Sequence, residues 1–309
     1  MDKANHERTP VGRTIVTMLD ALHARGPDST GVALYGPYRE KEIILRIALG
    51  TSSFPATLVK QITELVRSRY AVRESKTIGQ YMRMTIEASS DTAGIDKYIE
   101  AAAEGVQVIS MGHSLEIVKQ VGSPDALDAA YAVSDFLGTH GIGHARLATE
   151  SAVDLSHSQP FWSHGHPDVA VAHNGHITNY HKLRRSYEQR GIRFYTENDS
   201  EVIGIYLGLR LSEGMTLEEA LTASVSDLDG SFSYLAATAD QIGYARDRFA
   251  FKPLLTVETD AFVAVATEEI AIRAAFEGAY RVREAQAREV RVWQRSSATE
   301  KTPAKSTLQ

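Results

Sequence analysis

DVAVAHNGHITNY, residues 168–180, is the stretch on which the fold class turns. Val169 to Ala172 form a short apolar run with β-branched residues, which reads as a buried strand. The run leads into Asn174-Gly175, a dipeptide that favours a type I′ hairpin turn. A hairpin needs a matching strand directly afterwards. HITNYHKLRRS, residues 176–186, reads as a helix instead. The stretch is therefore a strand that delivers polar residues at its end and passes into a helix over residues 179–190. A second helix reads over residues 200–212.

Upstream of this stretch GIGHARLA (141–148) is strand-like, and a His-rich polar loop separates it from residue 168. Upstream, Thr9-Pro10 reads as a helix start, with Thr9 as cap and Ile15, Met18, Leu19 and Leu22 at helical spacing. GVALY (31–35), KEIILRIAL (41–49), QYMRMTIEA (80–88), VQVISM (106–111) and LEIVKQV (115–121) read as strands. Residues 55–68 make an amphipathic helix, with Leu58, Ile62, Leu65 and Val66 on one face. Downstream, Thr216 and Glu219 form a capping box for a further helix. Strands return at residues 232–238, 242–246, 252–257 and 261–266, followed by a short helix over 268–276 and a last strand near 288–293. Strands come in runs with helices between them. That pattern predicts an α+β fold, with sheets packed on each other and helices outside.

The 309 residues are 43% hydrophobic and 23% charged, with net charge −6, an ordinary globular balance. No basic patch suits nucleic acid, no run of eighteen apolar residues suits a membrane span, and MDKANHERTP lacks the apolar region of a secretory signal. A cytoplasmic protein with neither a nucleic-acid nor a membrane partner is the expectation. The sequence contains no cysteine. Disulfides, zinc–thiolate sites and a cysteine nucleophile within these residues are thereby excluded.

Three segments carry candidate chemistry: GHARLATES (143–151), AHNGHITNY (172–180) and TENDSEVI (196–203). Arg146 could fork onto a carboxylate, or make a surface salt bridge. Asn174 and the Gly175 N–H could form an oxyanion hole, or a turn. Asp199 could pair with a ligand ammonium, or cap the following helix. His157, His164, His166, His173 and His176 lie close in sequence, but their spacing matches no metal motif, and no metal or cofactor is expected. Residues 26–29 (GPDS) have turn chemistry and not the spacing of a phosphate loop.

Taken in order, RGPDSTG (25–31), GHARLAT (143–149), His173-Asn174-Gly175, NDSEV (198–202), Arg246-Asp247 and Lys252-Pro253 resemble class II, N-terminal-nucleophile glutamine amidotransferases. The resemblance covers residues 12–292. It looks closest to the separate amidotransferase subunit of glutamate-synthase-like enzymes, N-methylglutamate synthase included. It implies a four-layer αββα sandwich over residues 1–292, with 37–138 as a family-typical insertion, while the polar composition of 293–309 reads as a disordered tail. It implies hydrolysis of glutamine to glutamate and ammonia, with ammonia passed to a separate synthase subunit such as a flavin-dependent one. Arg146 and Thr149 would bind the α-carboxylate and Asp199 the α-ammonium. Asn174 and Gly175 would hold the oxyanion, while Arg25 and Gly26 would support the nucleophile strand. Family members usually begin Met-Cys-Gly-Ile, whereas this chain begins Met-Asp-Lys. Leu147 and Glu150 stand where many relatives have Trp and His. The expectation is an inactive chain with its first strand missing from beside the strand at 31–35, seen as a groove or unpaired edge that leads to Arg146 and Asn174. The alternative is a pseudo-enzyme that binds or regulates within a glutamate-synthase-like complex.

Overall fold

The computed structural model describes residues 1–3, 9–50, 56–88, 92, 94–147 and 157–295, Arg25 by its backbone alone. The chain opens on α1 (Val11–Asp20), then passes a 3-10 turn (His23–Arg25) into β1 (Ser29–Tyr35). It continues through β2 (Glu42–Leu49), α2 (Ala56–Arg67), β3 (Val72–Ile78), β4 (Tyr81–Glu87), α3 (Ile95–Glu100) and β5 (Val106–Gly112). Next come β6 (Leu115–Val121), α4 (Pro124–Tyr131), β7 (His140–Arg146), β8 (Phe161–Trp162) and β9 (Ala170–Ile177). Three helices follow, α5 (Tyr180–Gln189), α6 (Asp199–Ser212) and α7 (Leu217–Asp227). The chain closes through β10 (Gly230–Ala237), β11 (Gln241–Arg246), β12 (Leu255–Glu258), β13 (Val263–Ala266), α8 (Glu269–Ala275), β14 (Arg283–Glu284) and β15 (Val290–Gln294).

The strands form sheets ordered β6-β1-β7, β15-β11-β10-β9-β8, β13-β12-β14 and β3-β4-β2-β5. Side-chain alternation shows how they stack. On β1, Ala33 and Tyr35 face the central core, while Val32 and Leu34 pack under α1 and α4. On β9, Ala170 and Ala172 face the central core, while Val171 packs under α6 and α7. Both faces of each strand are covered, so all seven residues of β1 are buried. The result is the αββα sandwich expected from the sequence.

Several local expectations are corrected. Pro10 and not Thr9 is the N-cap of α1, and the Thr9 hydroxyl donates to Asp2 Oδ2 at 2.5 Å. The polar β3 (VRESKTI) shows no alternation and is an exposed edge strand. β6 and α4, though within residues 37–138, belong to the sandwich itself. β15 runs through Gln294, with Trp293 only 7% exposed, so the last strand passes the boundary expected at 292. Residues 296–309 lie outside the described residues.

The most informative correction concerns the open edge. β1 is the centre of its sheet, with β6 and β7 on its two sides, so no vacancy lies beside residues 31–35. Among the described residues β7 pairs along its length only with β1. Its other edge faces β13 across a groove of about 530 Å³, lined by α1, β7, β9, β10 and β13. Residues 1–3 tie down one end of that groove. The Met1 amino group donates to the Val263 carbonyl at 2.8 Å, the Asp2 N–H to Thr139 at 3.1 Å and the Lys3 N–H to Ala261 at 2.8 Å. The Met1 amine is buried, and burial pushes its pKa down to about 6.

Candidate functional site

Arg146 is the last residue of β7, and it lines the groove together with His144 and Leu147. The strand end is held from behind by residues 26–28. A Cβ on Gly26 would sit 2.5 Å from the Ala145 carbonyl, so only glycine allows this approach of two backbones. The Asp28 N–H donates to the Arg146 carbonyl at 3.0 Å. Gly26 thus buttresses the strand that carries Arg146. Arg25 closes the 3-10 turn just before it.

Asn174 and Gly175 do not form a turn. Both lie within β9, opposite Ser233 and Phe232 of β10. Gly175 has φ +134°, and a Cβ there would lie 2.1 Å from the Ser231 carbonyl. Phe232, facing Gly175, exchanges its own backbone bonds with Asp247, donating to Oδ2 at 2.9 Å and accepting the Asp247 N–H at 3.0 Å. On the far edge of β9, His173 donates its N–H to Gln159 Oε1 at 2.6 Å and accepts Gln159 Nε2 at 2.9 Å. Ile177 donates its N–H to Asp199 Oδ2 at 2.8 Å. Gly175 shares the parity of His173 and Ile177, which directs its N–H to this same edge. Asn174 lines the groove.

Asp199 is the first residue of α6 and not its cap. Asn198 caps, accepting the Ser200 N–H at 2.9 Å. The Asp199 carboxylate is free of that task and spans from α6 to β9. Its Oδ1 lies 3.7 Å from His173 Nδ1, which also bonds Ser200 Oγ at 2.9 Å. Burial pushes His173 down to about 4 against the pull of Asp199, and burial with the nearby His173 and Arg146 charges does the same to His144. A neutral imidazole pair is therefore set near both the Arg146 guanidinium and the Asp199 carboxylate.

The structure thus brings Arg146 and Asn174 into one groove, from strands of two different sheets. Asp199 reaches the same segment of β9 from the side, through His173 and Ile177. Thr149 lies outside the described residues. Lys252 also lines the groove, whereas Arg246 is buried under the carbonyls of Ala285 and Ala250 and pairs with Glu284 at 2.9 Å. Asp247 accepts from Phe249 and Ala250 and so shapes the turn that presents Lys252. Gln159, His144 and Ser200 are structural partners of the site to which the sequence assigned no role. His144 and Ser200 lie within two of the three polar segments, and Gln159 lies outside all three. The clustered histidines diverge: His164 stacks on Tyr195 with centroids 3.9 Å apart, and the His166 carbonyl accepts Trp162 Nε1 at 2.9 Å. Among the described residues no three His, Asp or Glu side chains converge as a metal site, and no helix is long and apolar enough to cross a membrane.

Known proteins share this arrangement of elements and motifs. Residues 144–274 match the family model of a glutamine amidotransferase domain. A protein of Methanothermobacter thermautotrophicus that carries a glutamine amidotransferase name is 38% identical over 269 residues, covering 85% of this chain and 88% of its own. The glutamine amidotransferase-like protein GlxB of Rhizobium meliloti is 35% identical over 261 residues, covering 84% of each chain. In three dimensions the chain is similar to the glutamine phosphoribosylpyrophosphate amidotransferase of B. subtilis. The TM-score is 0.59 at 20% identity, covering 94% of this chain and 46% of that one.

Proposed function

Because the chain belongs to the glutamine amidotransferase family, we propose that it supplies the substrate-binding and oxyanion-binding parts of a cytoplasmic class II glutaminase. Arg146, with Thr149, takes the α-carboxylate of glutamine, and Asp199 takes the α-ammonium. Asn174 and the Gly175 N–H receive the oxyanion that forms when the side-chain amide is attacked. Preorganised donors of this kind lower the barrier by about 2.7–4 kcal/mol each. Arg25 and Gly26 brace the strand end beside the nucleophile. Ammonia then passes to a separate synthase subunit, of which a flavin-dependent glutamate-synthase-like protein is the proposed example. The observation that carries this reading is the meeting of Arg146 and Asn174 in one groove.

The 309 residues contain no cysteine to make the attack. A thiol nucleophile is activated by its own α-amine in this class of mechanism, and neither Met1 nor Asp2 offers a thiol. The 309-residue chain is therefore expected to bind glutamine and to release no ammonia from it. The second reading is a glutamine-binding pseudo-enzyme within a synthase complex. Calorimetry with L-glutamine and an ammonia assay test both parts. Arg146→Ala should weaken binding about 10–100-fold, since a charge-assisted bond is worth about 1.5–3 kcal/mol. Unchanged affinity in that variant would remove Arg146 from the site. Turnover that Asn174→Ala abolishes would reveal a different nucleophile.

A further inference from the structure

A second cavity, of about 410 Å³, shares no lining residue with the groove. It lies where the side sheet (Ala48, Tyr81) meets β6, β8 and the first turn of α6. Its volume falls in the range of small-molecule pockets.

One side chain in it lacks a structural explanation. Lys119 on β6 is only 5% exposed, and its ammonium lies 4.6 Å over the Phe161 ring. Among the described residues no hydrogen bond or ion pair reaches that ammonium. A cation–π contact offsets only a fraction of the cost of taking an ammonium out of water. Glu201, also in the wall, attracts Lys119 through space, but its oxygens are occupied by the N–H groups of Tyr195 and Thr196 and the Thr196 hydroxyl. In the same wall the buried His164 Nδ1 has no hydrogen-bond partner. Lys119 and His164 are near enough for the lysine charge to oppose protonation of the imidazole.

We propose that this cavity binds a small monocarboxylate with an apolar or aromatic body, its carboxylate set on Lys119 and His164. Two unmet nitrogens suit the two oxygens of one carboxylate. A single lysine neutralises one negative charge. Counting Lys119 and Glu201 together, a monocarboxylate leaves one net negative charge in the cavity and a phosphate dianion two, which costs more. The rings of Phe161, Trp162, Tyr195 and Tyr81 supply apolar walls for the body of the ligand.

The test is calorimetric titration of the full chain with benzoate, its neutral isostere benzamide, and inorganic phosphate. Benzoate should bind saturably, benzamide at least tenfold more weakly, and phosphate more weakly than benzoate. Lys119→Met keeps the apolar stem and removes the charge. It should melt no lower than the parent and lose at least tenfold in benzoate affinity. Arg146→Ala should leave benzoate binding unchanged, which separates this cavity from the groove. The proposal is overturned by no saturable benzoate binding, by equal affinity for benzoate and benzamide, by tighter phosphate binding, or by loss of benzoate binding in Arg146→Ala. It is equally overturned if Lys119→Met binds benzoate undiminished. Should Lys119→Met fail to fold, the charge is structural and the proposal falls, unless Lys119→Gln folds and shows the same tenfold loss.

Discussion

At the scale of single residues, Gly175 sets the geometry of the site. Its φ of +134° is open to glycine and strained for other residues, and the Ser231 carbonyl occupies the space of a Cβ. The same backbone turns its N–H toward the edge of β9 between the Gln159 and Asp199 anchors. Gly175→Ala must bear strain of about 1–3 kcal/mol and push Ser231 away. The expected outcome is a lower urea midpoint together with weaker glutamine binding. An alanine variant as stable as the parent would mean that β9 has slack at this point. Asp199 shows how one residue's meaning depends on its neighbour. Because Asn198 caps α6, the Asp199 carboxylate is available to β9 and to the face beyond it.

At the scale of elements, the open edge of β7 opposite β13 is the feature with most consequence. An unpaired strand edge leaves backbone donors and acceptors without sheet partners and exposes the chain to edge-to-edge association. Among the described residues, residues 1–3 cover one end, by pairing with Thr139 and β13. An apolar strand opening on Cys, fused ahead of Thr9 in place of residues 1–8, should enter the groove. It should raise the melting temperature and confer glutaminase activity. A melting temperature that does not rise would show that the groove is not a strand site. The opposite ends of the sheets are already secured. Asp168, 5% exposed, accepts the N–H groups of His113, Ser114 and Leu115 at 2.8–2.9 Å and so locks the β5–β6 turn to the start of β9.

At the scale of the whole molecule, the buried histidines set a pH dependence. Burial is the first cause in each case, holding His140 and His164 down to about 3 and His144 and His173 to about 4. Their ordinary value is 6.5. The unfolded chain therefore takes up protons that the folded chain refuses as pH falls below about 6.5, so stability is fullest above that pH and declines toward 4. Glu100 and Glu201, raised by burial, act in the opposite sense. Urea midpoints measured at pH 7 and pH 5 should fall with pH. A midpoint that is flat over this interval would mean that the imidazoles lose no stability on acidification or that Glu100 and Glu201 offset the loss in full.

What the sequence alone determined is what short-range chemistry encodes. The apolar run into Asn174-Gly175 with a helix behind it, the amphipathic face of α2 and the Thr216–Glu219 capping box all rest on residues a few positions apart. The absence of a thiol among the 309 residues is a matter of composition. The order of the motifs also pointed to the sandwich. Tertiary structure decided the rest. It placed β7 between β1 and the groove, where a strand slot had been expected beside β1. It made Asn198 the cap in place of Asp199, recruited the polar β3 as an edge strand, and set the Lys119 ammonium over an aromatic ring in a cavity wall. These outcomes depend on contacts between residues far apart in the chain, such as Ser29 with Val121 and Arg146. Their energies come from shared burial across sheets and helical layers, which no local window of sequence contains.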